Sequence, residues 1–411
     1  NSAFPKVTFV LVIKGGIEQD GVDHAGVSEL LAGMLNQGTK NRTAKQIAEE
    51  LQNAGGSFSY WVDTDGISFS TIVLSEMALN TATLLADMVQ NCTFPENEFE
   101  IVKKKNLDYL QASEAEPGFL AGRASYKLLF GDHPYGIYSG TKEGVTNSSL
   151  DDVKSEYVRR FRPDQALLVV AGDFEAKEME SYLTKQMSNW KSSKENTISS
   201  LPIPEPHNTG KVFILNRPGS VQSTIQFSRL GIKRGDPEYA ASEVGNAIFG
   251  GMSSGRLFQN VREEKGYAYS IWSRINSENL SAIYTIKATV RNEVTGGAMN
   301  EMFYEINRMA TTVPSNDEVT RAQRYLLGYR AFLLQSSSSV ADELSSLWLM
   351  NLDSEQLNRE SKEILGVTAD KVKEVSAKSQ AARNYLIVAV GEEKVIRDQL
   401  SVFGLKIESL K

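Results

Sequence analysis

The 411-residue chain carries 44 Lys and Arg against 51 Asp and Glu, a formal net charge of -7, which argues against a nucleic-acid partner, since phosphate neutralisation needs clustered cations. With 41% hydrophobic and 23% charged residues it is ordinary globular material, long enough for two cores. Its apolar runs, such as Val7 to Ile13 and Leu167 to Ala171, fall far short of the ~20 residues that span a bilayer, and the single cysteine, Cys92, excludes an internal disulfide and a cysteine-based zinc cluster.

The first predicted element is a strand over Val7 to Ile13. A helix follows whose apolar stripe is Val27, Leu30, Leu31, Met34 and Leu35. Thr43 and Gln46 form a capping box that opens a second helix, running to Ala54 and stopped by Gly55-Gly56. A hairpin comes next: Phe58, Tyr60 and Val62 alternate, Asp65-Gly66 turns the chain, and Ile67, Phe69 and Thr71 return. Residues 191–210 are polar and proline-rich, the composition of a semi-extended connector.

Beyond it the order repeats. Tyr239 to Phe249 reads as a helix, a glycine-rich bend follows, Arg256 to Lys265 is a helix stopped by Gly266, and Tyr267, Tyr269 and Ile271 alternate on a strand. An offset of about 210 residues is too long for a solenoid and suits two homologous domains, 1–190 and 211–411, joined by the linker 191–210. The expected class is α+β: two homologous α/β sandwiches, each a sheet covered by helices.

Seven segments in order carry a family resemblance. They are Gly26 to Thr39, His133-Pro134-Tyr135-Gly136, Phe161-Arg162-Pro163-Asp164 running into Val169 to Phe174, Arg217 to Ser223, Ser253 to Tyr269, and the helix Arg321 to Gly328. On these the chain resembles the pitrilysin or inverzincin superfamily, specifically the two-domain processing-peptidase type, over nearly its whole length.

The resemblance places Glu29, Ala32 and Gly33 where the inverted zinc motif His-x-x-Glu-His has a ligand, a general base and a second ligand. Asp108 or Tyr109 stands where the third ligand, a Glu, is expected. Alanine cannot take a proton from water, glycine has no donor, and Glu29 lacks a neighbouring imidazole. The three histidines, His24, His133 and His207, begin or end no metal-binding pattern. The apolar stripe is expected to turn Glu29, Ala32 and Gly33 to the opposite face, where a site would open. No metal and no cofactor are expected on this chain; zinc belongs to the catalytic partner.

In the second half the resemblance implies that Arg262 and Tyr269, seven residues apart, hold a substrate backbone and polarise its carbonyl, a charged fork beside a neutral donor. Gly250, Gly251, Ser253 and Ser254 would line the substrate path, small enough for an extended peptide to approach the backbone. The stretch is no phosphate loop, because the required Lys is absent. Exposed strand edges of the first domain could receive the same peptide as an added strand.

The expected function is therefore a non-catalytic, substrate-binding subunit of a heterodimeric zinc metallopeptidase, inactive alone and paired with a homologous subunit carrying His-x-x-Glu-His. The alternative is a structural or peptide-binding assembly protein resembling the core subunits of respiratory complex III. The start at Asn1, close before a strand and without leader features, fits a removed leader and a trimmed end alike; with the bacterial character of the motifs a bacterial periplasmic setting is expected, with a mitochondrial one left open.

Overall fold

A computed structural model describes residues 5–192, 201–379 and 381–410; part of the expected linker, 193–200, lies outside them. In the first half the elements are β1 (Lys6–Lys14), α1 (Val27–Met34), α2 (Ala44–Asn53), β2 (Phe58–Val62), β3 (Gly66–Leu74), α3 (Ala78–Asn91), α4 (Glu96–Glu114), α5 (Pro117–Phe130), α6 (Lys142–Asn147), α7 (Leu150–Arg160), β4 (Ala166–Gly172) and α8 (Ala176–Gln186). The second half holds β5 (Lys211–Asn216), β6 (Gln222–Leu230), α9 (Tyr239–Asn246), β7 (Ala268–Ser277), β8 (Ala282–Arg291), α10 (Thr295–Thr311), α11 (Asn316–Leu333), α12 (Ser337–Leu349), α13 (Gln356–Gly366), α14 (Ala369–Ser379), β9 (Leu386–Gly391), α15 (Glu393–Ser401) and β10 (Lys406–Leu410).

The expected α+β class is what the strands and helices build. One sheet has the order β2-β3-β1-β4, all antiparallel, so β2 and β4 are its edges. The other runs β10-β5-β9-β6-β8-β7, parallel among β10, β5 and β9 and antiparallel from β9 to β7. In the first sheet Val7, Phe9 and Val73 pack on Ala82 and Leu85 of α3 and Met179 of α8. In the second, Ile225, Phe227, Ile286 and Ile387 bury against Met299, Met302 and Ile306 of α10 and Val372 of α14. The capping box forms as read, with Thr43 and Gln46 each closing on the other's backbone N–H.

The expected division at residues 191–210 does not bound the packed units. One unit gathers the described residues of 1–112, 139–201 and 333–351; the other gathers 113–138, 202–332 and 352–411. The reason is an exchange of helices. α5, from the first half of the chain, covers β9 and β6 of the second sheet, while α12, from the second half, covers β1 and β4 of the first, where Val10 and Val12 meet Ala341, Trp348 and Leu349. Each sheet has two apolar faces, and the second face takes a helix remote in sequence.

Candidate functional site

The helix that should carry the metal motif, α1, is held by an outside carboxylate cap and a buried guanidinium. Its N-terminal residue Gly26 sits at φ 114°, a conformation that favours glycine, and offers no side-chain cap. Asp20 supplies the cap from outside: its carboxylate accepts the Gly26 N–H at 2.9 Å and the Ser28 N–H at 3.3 Å, and it also bonds the Ser28 hydroxyl. Beneath lies Arg160, whose side chain is 0% exposed, paired with Asp20 at 3.2 Å and with Glu156 at 2.6 Å. Its Nη1 also donates to the carbonyls of Gly15 and Gly16.

Around this guanidinium the acids are shifted. Glu18 is pushed up to about 8, by burial first and then by the charge of Asp65, against the pull of Arg160, the Gly16 N–H and Gln19. Glu29 is pushed up to about 7, again by burial first, then by Asp20. A carboxyl raised from its ordinary 4.5 binds its proton more tightly in the folded chain, so its contribution to stability is full below that value and is lost as pH rises toward the folded one. Glu18→Gln is therefore expected to gain on the native chain by on the order of 2–4 kcal/mol between pH 5 and pH 8.5. Denaturant melts across that range would show the gain; a pH-independent offset would contradict it.

The expectation that Glu29, Ala32 and Gly33 turn to an open face needs correction. Ala32 is 0% exposed, Gly33 is buried, and only Glu29 reaches partial exposure. The helix is covered all round because β2 and α4 supply side chains that its own periodicity cannot reveal. A Cβ on Gly33 would lie 2.7 Å from Val102 Cγ1 and 3.2 Å from the Tyr60 hydroxyl. Among the described residues no three His, Cys, Asp or Glu are grouped to hold a metal ion. The donors at α1 do not fit zinc: Glu29 is a single carboxyl, and the second ligand position is occupied by other side chains. Asp108 and Tyr109 are both exposed on α4, Tyr109 at 67%; Tyr109, seven residues past Val102, lies on the same side of the helix.

The second constellation lies in the other unit. α9 widens into a π turn over Ala247–Gly251, and Phe258–Glu264 form a second π segment carrying Arg262; such turns often mark functional sites. The Arg262 guanidinium lies 4.6 Å from the Phe258 ring centroid and 5.9 Å from that of Tyr269. Its ion pair with Glu263, at 3.7 Å on the surface, adds little. Asn260 anchors the segment by donating to Glu301 and Glu305 of α10. The structure thus brings Arg262 and Tyr269 together, and it adds Phe258 as a platform the sequence reading missed, though the four-residue spacing from Arg262 was there to be read.

Tyr269 departs from strict alternation. It sits at a β-bulge, where Ala268 and Ser270 face successive residues Val290 and Thr289, so Ala268 and Ile271 point inward while Tyr269 is 82% exposed. A regular strand would have buried it with Ile271. β7 is also a sheet edge. Of the glycine-rich bend, Ser253 and Ser254 are exposed. Gly250 and Gly251 are packing glycines instead: a Cβ would meet Ser273 Oγ at 2.7 Å at the first and Asn246 Nδ2 at 2.8 Å at the second. Exposed donors beside a cationic fork can grip a peptide carbonyl; neither Arg262 nor Tyr269 supplies an activated water.

His133 accepts the Tyr135 N–H through Nδ1 and contacts the Pro202 carbonyl through Nε2, so it shapes a turn. Tyr135, 1% exposed, accepts the Leu280 N–H.

Fold and sequence together define a two-unit protein of the zinc-peptidase type. Residues 1–133 match the family described as Insulinase (Peptidase family M16), and residues 147–326 match the Peptidase M16 inactive domain. The chain belongs to peptidase family M16. An uncharacterized zinc protease of Rickettsia felis is 27% identical over 82% of this chain and 79% of its own. A protein of Helicobacter pylori named non-peptidase homolog YmxG is 25% identical over 67% of this chain and 63% of its own. The structure of a peptidase M16 inactive domain from Pseudomonas fluorescens superposes with a TM-score of 0.87 at 24% identity, over 94% of this chain and 93% of that one. A chain of complex III2 from Candida albicans does so with 0.80 at 16%, over 100% and 96%. At these identities the two structures speak to fold alone.

Proposed function

We propose that this chain is the non-catalytic, peptide-binding subunit of a two-chain M16 zinc peptidase, with a homologous partner carrying His-x-x-Glu-His to supply metal and base. One observation carries the reading: α1 keeps its anchorage and loses its donors, while Arg262 and Tyr269 remain paired and accessible. A chain selected only for bulk would have no need of an exposed tyrosine lifted out by a bulge beside a guanidinium.

Alone, the chain is expected to hydrolyse no peptide. Mixed with its His-x-x-Glu-His partner it should raise the partner's turnover, and Arg262→Ala with Tyr269→Phe should remove most of that gain, at least ~10-fold, because each donor to a polarised carbonyl is worth ~10²–10³ in related sites. Unaltered turnover in the double variant, with the two chains still associated, would sink the assignment. The second reading, an assembly subunit, rests on the same loss of donors at α1, which leaves the fold without a metal site of its own. It predicts stable association with no effect of either substitution on turnover.

A further inference from the structure

We propose that Tyr60 and Val102 close the vacated ligand position of α1, so that this chain excludes a metal by shape as well as by loss of donors. The inference does not depend on the partner reading above.

Gly33 occupies the second ligand position, and the space its side chain would enter is filled. Val102 Cγ1 lies 2.7 Å and the Tyr60 hydroxyl 3.2 Å from an ideal Cβ there, with the Tyr60 ring carbon Cζ at 3.7 Å. The buried occupant, Val102, is the one that does not yield easily. Val102 is β-branched on a helix, where one χ1 rotamer dominates, so its methyl cannot swing aside without leaving the favoured well. Tyr60 stands on the edge strand β2 directly opposite Phe69, which is 1% exposed and stacks on Phe58 at 5.7 Å, so core packing fixes the strand, while the phenol, on a residue 40% exposed, fills the space from the solvent side. An imidazole at position 33 would have to displace both side chains before reaching an ion.

Two measurements test this on the full chain. The first reads thermal melting. Alanine is favoured over glycine inside a helix, so Gly33→Ala should raise the melting temperature wherever there is room. It is expected to lower the native chain's by ~5 °C through overpacking and to raise that of a Tyr60→Ala, Val102→Ala background. A rise in the native chain would overturn the proposal, as would a fall of equal size in both.

The second reads zinc content after dialysis, without reference to activity. The chain carrying Glu29→His, Ala32→Glu, Gly33→His and Tyr109→Glu should retain well under one zinc per chain, and the same chain with Tyr60→Ala and Val102→Ala added should retain one. Equal retention in the two, whether both full or both empty, would overturn it, because Tyr60 and Val102 would then not be what decides occupancy.

Discussion

Arg160→Met is expected to cost about 3–5 kcal/mol of stability, because it removes one partner of a buried ion pair and leaves the other behind. The Arg160 side chain is wholly buried and touches Asp20, Glu156, the Ser28 hydroxyl and two backbone carbonyls. Methionine fills much of the volume and satisfies none of those acceptors. Burial pushes the Asp20 carboxyl up and Arg160 pulls it down, so without the guanidinium Asp20 takes a proton and caps α1 as a weaker, neutral acceptor. The loss should concentrate at the start of that helix. Urea melts give the total, and amide exchange over Val27–Met34 should accelerate. Asp20→Asn in the Arg160→Met background should recover part of the loss by removing the cost of protonating a carboxyl at neutral pH. A cost below ~1 kcal/mol would show that the network is decorative. The result matters for function because it would show what keeps a zinc-type helix in place in a chain whose donors are gone.

Much of this architecture was legible in the sequence, and the misses have physical causes. The stripe Val27, Leu30, Leu31, Met34 and Leu35 is buried throughout, at 0–2% exposure, because a 3.6-residue period reports one helix face directly. The same period cannot report what covers the opposite face. Tyr60 and Val102 come from a strand and a helix whose own patterns point to them only as sheet and helix residues. The hairpin was read one residue late: Asp63–Asp65 turn the chain, and Gly66 already begins β3 with its partner Lys14. The exchange of α5 and α12 was invisible, since an amphipathic pattern says that a helix covers an apolar surface and not which one. The bulge at Tyr269 defeated simple alternation, and that irregularity is what exposes the residue expected to bind.

Glu360→Ala should be the other costly change, again about 3–5 kcal/mol, measured by denaturant melts at pH 7. The Glu360 carboxylate is 1% exposed and receives Arg234 Nε at 2.6 Å and Nη2 at 2.9 Å, Arg330 at 2.7 Å and Gln356 at 3.0 Å. Burial works to raise its pKa, but the hydrogen bond and charge of Arg234, with the charge of Arg330, more than offset this and hold it below the usual carboxylate range. A lowered pKa means stability present above the ordinary value near 4.5 and lost as pH falls below it, so the gap between native and variant should narrow on acidification. Nearby Glu243 on α9 is pushed up to about 7 by burial, with Arg330 pulling down and Glu360 pushing up. Once Glu360 is gone, Glu243 loses a repelling neighbour and gains two guanidinium groups, so it should ionise in Glu360's place. Adding Glu243→Gln should then cost more in the Glu360→Ala background than in the native chain, and strict additivity would contradict that substitution of partners. Because α9 leads directly into the π turn and the segment bearing Arg262, the single Glu360→Ala variant should, on the proposed peptide-binding role, also weaken the gain in turnover that this chain gives its partner, with Arg262 and Tyr269 unchanged in sequence.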